Sequence, residues 1–340
     1  MTLEFGLFSH LEKSSGSPAM HELYAEHLDF LDAAEQAGFW GYHLAEHHNT
    51  PLNMAPSPGL FLAAASQRTK RLRLGPMVYL LPFYHPLRLI EEIAMLDNLT
   101  GGRLEVGVGR GISPFEHALF RNPTIEGDTR EMFEEGLDVV LKGLTSERLS
   151  HRGNYYHFAG VPTVLRPRQQ PHPPLWCGVG TEDTAEFAAK RGMNVTTLAP
   201  APVAARAVAV YREKLRQEGK AERMVGLTRM LVVGPTDAEA ERVARCAYEA
   251  HKDNIQNLWH FFHVHDMRAG HEFDVYRGEG CIIFGSPSSV LDQLAGQLEQ
   301  VKPNYLMLNM NFGGLSAMQS RQSLELFATK VKLELSKVPV

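Results

Sequence analysis

Glu46-His47-His48, with His43 four residues before His47, brings titratable groups together early in the chain. A histidine beside a carboxylate can take up and release protons near neutral pH. His47 is therefore a candidate general acid or base and Glu46 its candidate partner; a hydrogen-bonded structural histidine is the alternative. Histidines at i and i+4 hold zinc well on a helix. Here they fall where a strand runs into a loop, a geometry that does not align them, so no metal is expected. Arg110 stands between Gly109 and Gly111 and could hold an anion by a charge-assisted bond. Gly180-Thr181-Glu182-Asp183-Thr184 opens a helix, where free N–H groups and two hydroxyls make a phosphate cradle. The competing reading is that Thr181 or Asp183 only caps that helix and Arg110 pairs with a carboxylate. Gly107, Gly109 and Gly111 are no dinucleotide fingerprint, because Ile112 occupies the position where the third glycine belongs. His260, His263, His265 and His271 match no metal-ligand spacing. With Trp259, Phe261 and Phe262 they suggest a lid-like segment on the substrate side, although those aromatics suit an ordinary core equally.

These residues need a scaffold that gathers distant loops. The stretch 72–111 reads as buried strand, helix opened by His85-Pro86, and second buried strand, which is a βαβ unit of a parallel sheet. Apolar runs at 3–9, 39–44, 72–81, 104–108, 175–179, 194–198, 225–233 and 305–310 are expected strands, most of them followed by a helical pattern. Residues 112–127 read as loop and 149–158 as a hairpin excursion. Such a series argues for a (β/α)8 TIM barrel, in which catalytic groups sit on loops after the strands' C-terminal ends. One domain over 1–340 is expected, with an insertion at about 254–280.

Composition excludes several classes. A net charge of −5 makes no case for nucleic acid or an anionic membrane as partner. The 3 cysteines are far apart and form no CxxC, which suits a reducing compartment. No secretory pattern opens the chain, and no apolar run approaches the roughly 18 residues of a membrane helix. The expectation is a cytoplasmic protein.

Longer motifs carry a resemblance. AEHH at 45–48, LGPMVYLLPFYHPLRLIEEIAMLDNLTGGRLEVGVGRG at 74–111, GTEDTAEFAAKRG at 180–192, GSPSSVLDQL at 285–294 and LNMNFGGL at 308–315 are similar, in the same order, to the bacterial luciferase-like flavin-dependent monooxygenases. The resemblance implies a TIM barrel that uses reduced FMN as cosubstrate, supplied by a separate flavin reductase. Oxygen would add at the flavin C4a position, and the (hydro)peroxide would oxygenate a small organic substrate by hydroxylation or Baeyer–Villiger attack. Arg110, Gly180, Thr181 and Thr184 match positions around the flavin phosphate, though the luciferase branch has an acidic residue where Gly180 stands. His47 matches the histidine implicated in catalysis, and Met77-Val78 a non-prolyl cis peptide lying against the flavin ring. At Gly109 luciferase has a reactive cysteine; the small residue would leave room for oxygen. A homodimer is typical of the family. Its deazaflavin-dependent hydride-transfer branch and its non-catalytic flavin-binding subunits are the rival readings.

Overall fold

The computed structural model describes residues 2–120, 128–260 and 272–338. The apolar runs become strands because each is covered on both faces, which removes the polar alternation of a half-exposed strand. They are β1 (Glu4–Ser9), β2 (Gly41–Leu44), β3 (Arg73–Pro76), β4 (Tyr79–Leu80) and β5 (Val106–Gly109). A separate antiparallel hairpin follows, β6 (Arg148–Arg152) with β7 (His157–Pro162). Then come β8 (Leu175–Gly178), β9 (Asn194–Thr197), β10 (Val225–Val233), β11 (Ile282–Gly285) and β12 (Tyr305–Asn309).

The main sheet runs β3-β2-β1-β12-β10-β9-β8-β5-β4, every pair parallel. β3 and β4 are the two halves of one expected strand, parted at the cis peptide Met77–Val78. The Leu74 N–H donates to Arg103 O at 3.0 Å and the Glu105 N–H to Leu74 O at 2.9 Å, so the first strand of the path meets the approach to β5. That contact closes the ring, and the expected barrel is found.

Three local expectations change. β11, in the apolar run Cys281–Phe284, was not foreseen; it pairs with the outer half of β10, from Met230↔Ile282 to Val233↔Gly285. Residues 114–120 form a short helix (Pro114–Phe120), where loop was expected; the Ser113 hydroxyl accepts the Glu116 N–H at 3.3 Å and caps it. The break in rhythm at 254–280 begins as the end of the long helix Asp237–His260 and ends in the short helix Phe273–Gly278. Residues 261–271 lie outside the described residues, as do the side chains of Trp259 and His260, so the lid-like reading falls mostly on them.

Inside the ring, Phe8, Ala45, Met77, Trp176, Tyr305 and Met307 form one apolar cluster, while a larger core separates strands from helices. The Tyr305 hydroxyl lies 3.0 Å from His43 Nε2, and the buried Glu105 carboxylate takes Arg73 and, at 2.6 Å, the Trp176 indole N–H. These groups plug one end of the barrel and leave the strands' C-terminal end for chemistry. The plug admits strands only at close quarters. A Cβ on Gly75 would stand 2.3 Å from the Glu105 carbonyl oxygen. Gly75→Ala is therefore expected to cost about 1–3 kcal/mol, seen as a lower urea midpoint. An unchanged midpoint would mean that β3 can move away from the Glu105 backbone.

Candidate active site

Each C-terminal strand end delivers one part. β2 runs on into Glu46, His47 and His48, and extended backbone turns successive side chains to opposite sides. Glu46 and His48 therefore share a side, and their Oε1 and Nε2 atoms lie 2.9 Å apart. The expected partnership of Glu46 with His47 is thus corrected: Glu46 is the partner of His48. Its other oxygen accepts from the Tyr84 hydroxyl at 2.8 Å and the Leu80 N–H at 3.3 Å. Burial pushes the Glu46 carboxyl up from the ordinary value, opposed by these hydrogen bonds.

His47 points the other way and meets Glu116, with Nδ1 3.2 Å from Oε1. The same Glu116 oxygen accepts the His48 N–H at 2.8 Å, and Glu116 is fully buried on the helix Pro114–Phe120. A carboxylate on Nδ1 fixes the proton there and turns Nε2 outward as the atom free to accept or give a proton. Glu116 was missed because its segment read as loop; it stands 69 residues from His47 in the chain. His10, just past the end of β1, stacks on His47 with centroids 5.6 Å apart and planes at 26°. It too was missed.

Further round the ring, β5 and β8 pair at Gly107↔Trp176 and Val108↔Cys177, which sets Gly109 beside Gly178. Alternation then places Gly107, Gly109, Gly178 and Gly180 along the inward side of two neighbouring strands. Cβ atoms on Gly178 or Gly180 would meet nothing within 4 Å among the described residues, so that side is open to them. A Cβ on Gly109 would lie 2.4 Å from Val78 Cγ2. The space freed at Gly109 is taken by Val78, which corrects the expectation of room for oxygen there. The result is a strip walled at one end by the Met77 and Val78 side chains at the cis peptide, bare at Gly178 and Gly180, and ending at the helix Glu182–Arg191.

Arg110 is exposed at that far end and, among the described residues, has neither a carboxylate nor any other hydrogen-bond partner. The carboxylate-pairing alternative for Arg110 is not what the structure shows. The capping alternative for Thr181 is: its hydroxyl accepts the Thr184 N–H at 3.3 Å. In return the Thr184 hydroxyl takes the N–H groups of Gly180 and Thr181 at 3.3 and 3.2 Å. Those two amides are therefore engaged within the turn, and the first-turn amides of Glu182 and Asp183 remain for an anion. A planar ring along the strip, with an anionic tail toward Arg110, suits this arrangement, and His47 then faces it from β2.

The chain matches the family model for luciferase-like monooxygenases over residues 3–302. Protein y4wF of Sinorhizobium fredii is 37% identical over 319 residues, 92% of each chain. The oxygenase component of the flavin-dependent trigonelline monooxygenase of Acinetobacter baylyi is 31% identical over 193 residues, covering 57% of this chain and 53% of its own. The oxygenating constituent of 3,6-diketocamphane monooxygenase from Pseudomonas putida, a Baeyer–Villiger enzyme solved with FMN, superposes with a TM-score of 0.82 at 22% identity over 98% of each chain.

Proposed function

The chain belongs to the luciferase-like monooxygenase family, and from that premise we propose that it is the oxygenase of a two-component system that uses reduced FMN and O2 to oxygenate a small organic substrate. The observation that carries the reading is the strip bare at Gly178 and Gly180, between the side chains of the Met77–Val78 cis peptide and the exposed Arg110. Bound there, reduced FMN supplies the electrons with which one oxygen atom enters the substrate and the other leaves as water. Met77, Val78 and Gly109 would back the ring. Arg110 and the turn Gly180–Thr184 would hold the phosphate. His47, oriented by Glu116, would take up or deliver the proton at Nε2, while the apolar wall of Phe8 and Met77 keeps water from the ring.

Arg110→Ala is expected to weaken FMN binding by at least about 1.5 kcal/mol, the scale of a charged hydrogen bond. Fluorescence titration measures it, and unchanged affinity removes the phosphate assignment. The reaction itself is tested with a generic flavin reductase, 18O2 and a panel of aldehydes, ketones, aromatics and terpenes. Labelled oxygen in a product supports the reading. Reduction of a substrate by reduced deazaflavin, with no turnover from reduced FMN, replaces it with hydride transfer. Release of all the oxygen as peroxide leaves only a flavin-binding subunit.

The partners proposed are a separate flavin reductase and a second copy of the chain. Helices Pro58–Arg68 and Pro86–Leu99 pack on each other and leave Leu60 76% and Met95 54% exposed. Leu60→Glu with Met95→Glu is expected to convert a dimer to a monomer in sedimentation velocity. A monomeric parent protein overturns that partner. A cytoplasmic location is in keeping with Cys177, Cys246 and Cys281 all being free thiols.

A further inference from the structure

β1 lies across the barrel from β8, and its C-terminal end carries a second group of chemistry-bearing side chains beside His47. We propose that His10, Glu12 and His251 form a binding site for one divalent transition-metal ion of the zinc class. One imidazole nitrogen from each histidine and one Glu12 carboxylate oxygen lie within 4.8 Å of one another. Two imidazoles and a carboxylate are a donor set that zinc takes with a further position left open, and the same set suits cobalt.

Three observations point to a cation here. First, His10 Nδ1 is shut away from water and has no hydrogen-bond partner among the described residues, which is costly for a buried polar atom. Second, Glu12 is 4% exposed, and among the described residues no lysine or arginine meets it. Its partners are His251 Nδ1, 2.7 Å from Oε1, and the Asn254 amide, 3.0 Å from Oε2. Among the described residues, the groups bonded to this buried carboxylate are thus an imidazole and an amide, and the His10 ring stands beside them. Third, the group is anchored as a metal site needs. Asn254 also donates to Lys13 O at 3.2 Å, and the Thr50 hydroxyl reaches Asn254 O at 3.5 Å. The helix Asp237–His260 is thereby tied to the loops after β1 and β2, and the carboxylate is oriented from behind. Metal–ligand bonds of about 2.0–2.2 Å would need the Glu12–His251 pair to open from 2.7 Å and the more distant donor to approach, both by side-chain rotation.

The metal site stands whether or not flavin binds in the barrel, and its test needs no substrate. Tag-free protein, stripped with chelator, is titrated with Co2+ and followed by its visible d–d absorption. One equivalent with the intense band of four- or five-coordinate Co2+, displaced by Zn2+, is the expected result. Glu12→Gln and His251→Gln should each weaken binding about 100-fold, and Asn254→Ala about 10-fold as loss of an orienting contact. Circular dichroism checks that the variants fold. Should Glu12→Gln not fold, His10→Phe removes a ligand while keeping the Glu12 bonds to His251 and Asn254 and tests the same donor set. Failure of the parent protein to take up Co2+ overturns the site, as does a band that survives all of the ligand substitutions. In that event the Glu12–His251 bond serves only to tie the helix to the barrel.

Discussion

His47→Ala is expected to cut product formation about 100-fold or more while leaving FMN affinity within about twofold. The asymmetry follows from position. His47 stands on the β2 side and contacts Glu116, whereas the proposed phosphate end lies at Arg110 and the Gly180–Thr184 turn, after β5 and β8, two and three places further round the ring. Removing the imidazole takes away a proton-handling group and little of the cofactor's holding surface. Glu116→Gln gives a graded version of the same experiment. It keeps a hydrogen-bond acceptor near His47 Nδ1 and the His48 N–H but removes the charge, so it should shift the pH–rate profile and lower the rate less than His47→Ala does. Turnover unimpaired in His47→Ala would falsify the acid–base role. An equal loss of FMN affinity would instead make His47 part of the binding surface.

Acid should unfold this protein well before its carboxylates are all protonated. Burial pushes His43 down to about 3, helped by the charge of Arg73, and burial pushes His27 down to about 4, opposed by its bond to Leu23 O. A histidine with a depressed folded-state pKa binds its proton more readily in the unfolded chain. Its effect on stability is nil above pH 6.5 and destabilising below it, growing until the folded-state pKa is reached. At about 1.4 kcal/mol per pH unit, each histidine removes roughly 3 kcal/mol between about pH 6.5 and about pH 4. Two of them approach the whole stability of an ordinary domain, about 5–15 kcal/mol. Urea unfolding at pH 7, 6, 5 and 4.5 measures the slope. His43→Gln should flatten it by about 1.4 kcal/mol per pH unit at the acid end; an identical slope would show that His43 is protonated in the folded state.

The barrel could be anticipated because a strand covered on both faces must be apolar throughout, and such runs recur along 3–310 with helical patterns between them. β11 escaped because Ile282–Gly285 is short and follows a stretch with no period. The helix Pro114–Phe120 escaped because seven residues are too few to show a 3.6-residue repeat, and Glu116 was lost with it. Gly107 and Gly109, by contrast, drew attention as a motif they do not form. Their meaning came from the register with β8, which lays them beside Gly178 and Gly180.

By itself, then, the sequence determined the strand–helix rhythm, the positions of His47 and Arg110 at strand ends, and the family that the long motifs resemble. Local periodicity and chain order are sufficient for those. Pairing was decided only by tertiary structure. Glu46 goes to His48 and Glu116 to His47, because side chains alternate along the extended chain after β2 and a helix 69 residues on reaches the far side. His10, Glu12 and His251 meet only because barrel closure brings the end of β1 under the long helix after β10, across 239 residues of sequence. His10 and Glu12 are neighbours in the chain, but His251 joins them only in the fold, where no spacing argument could place it.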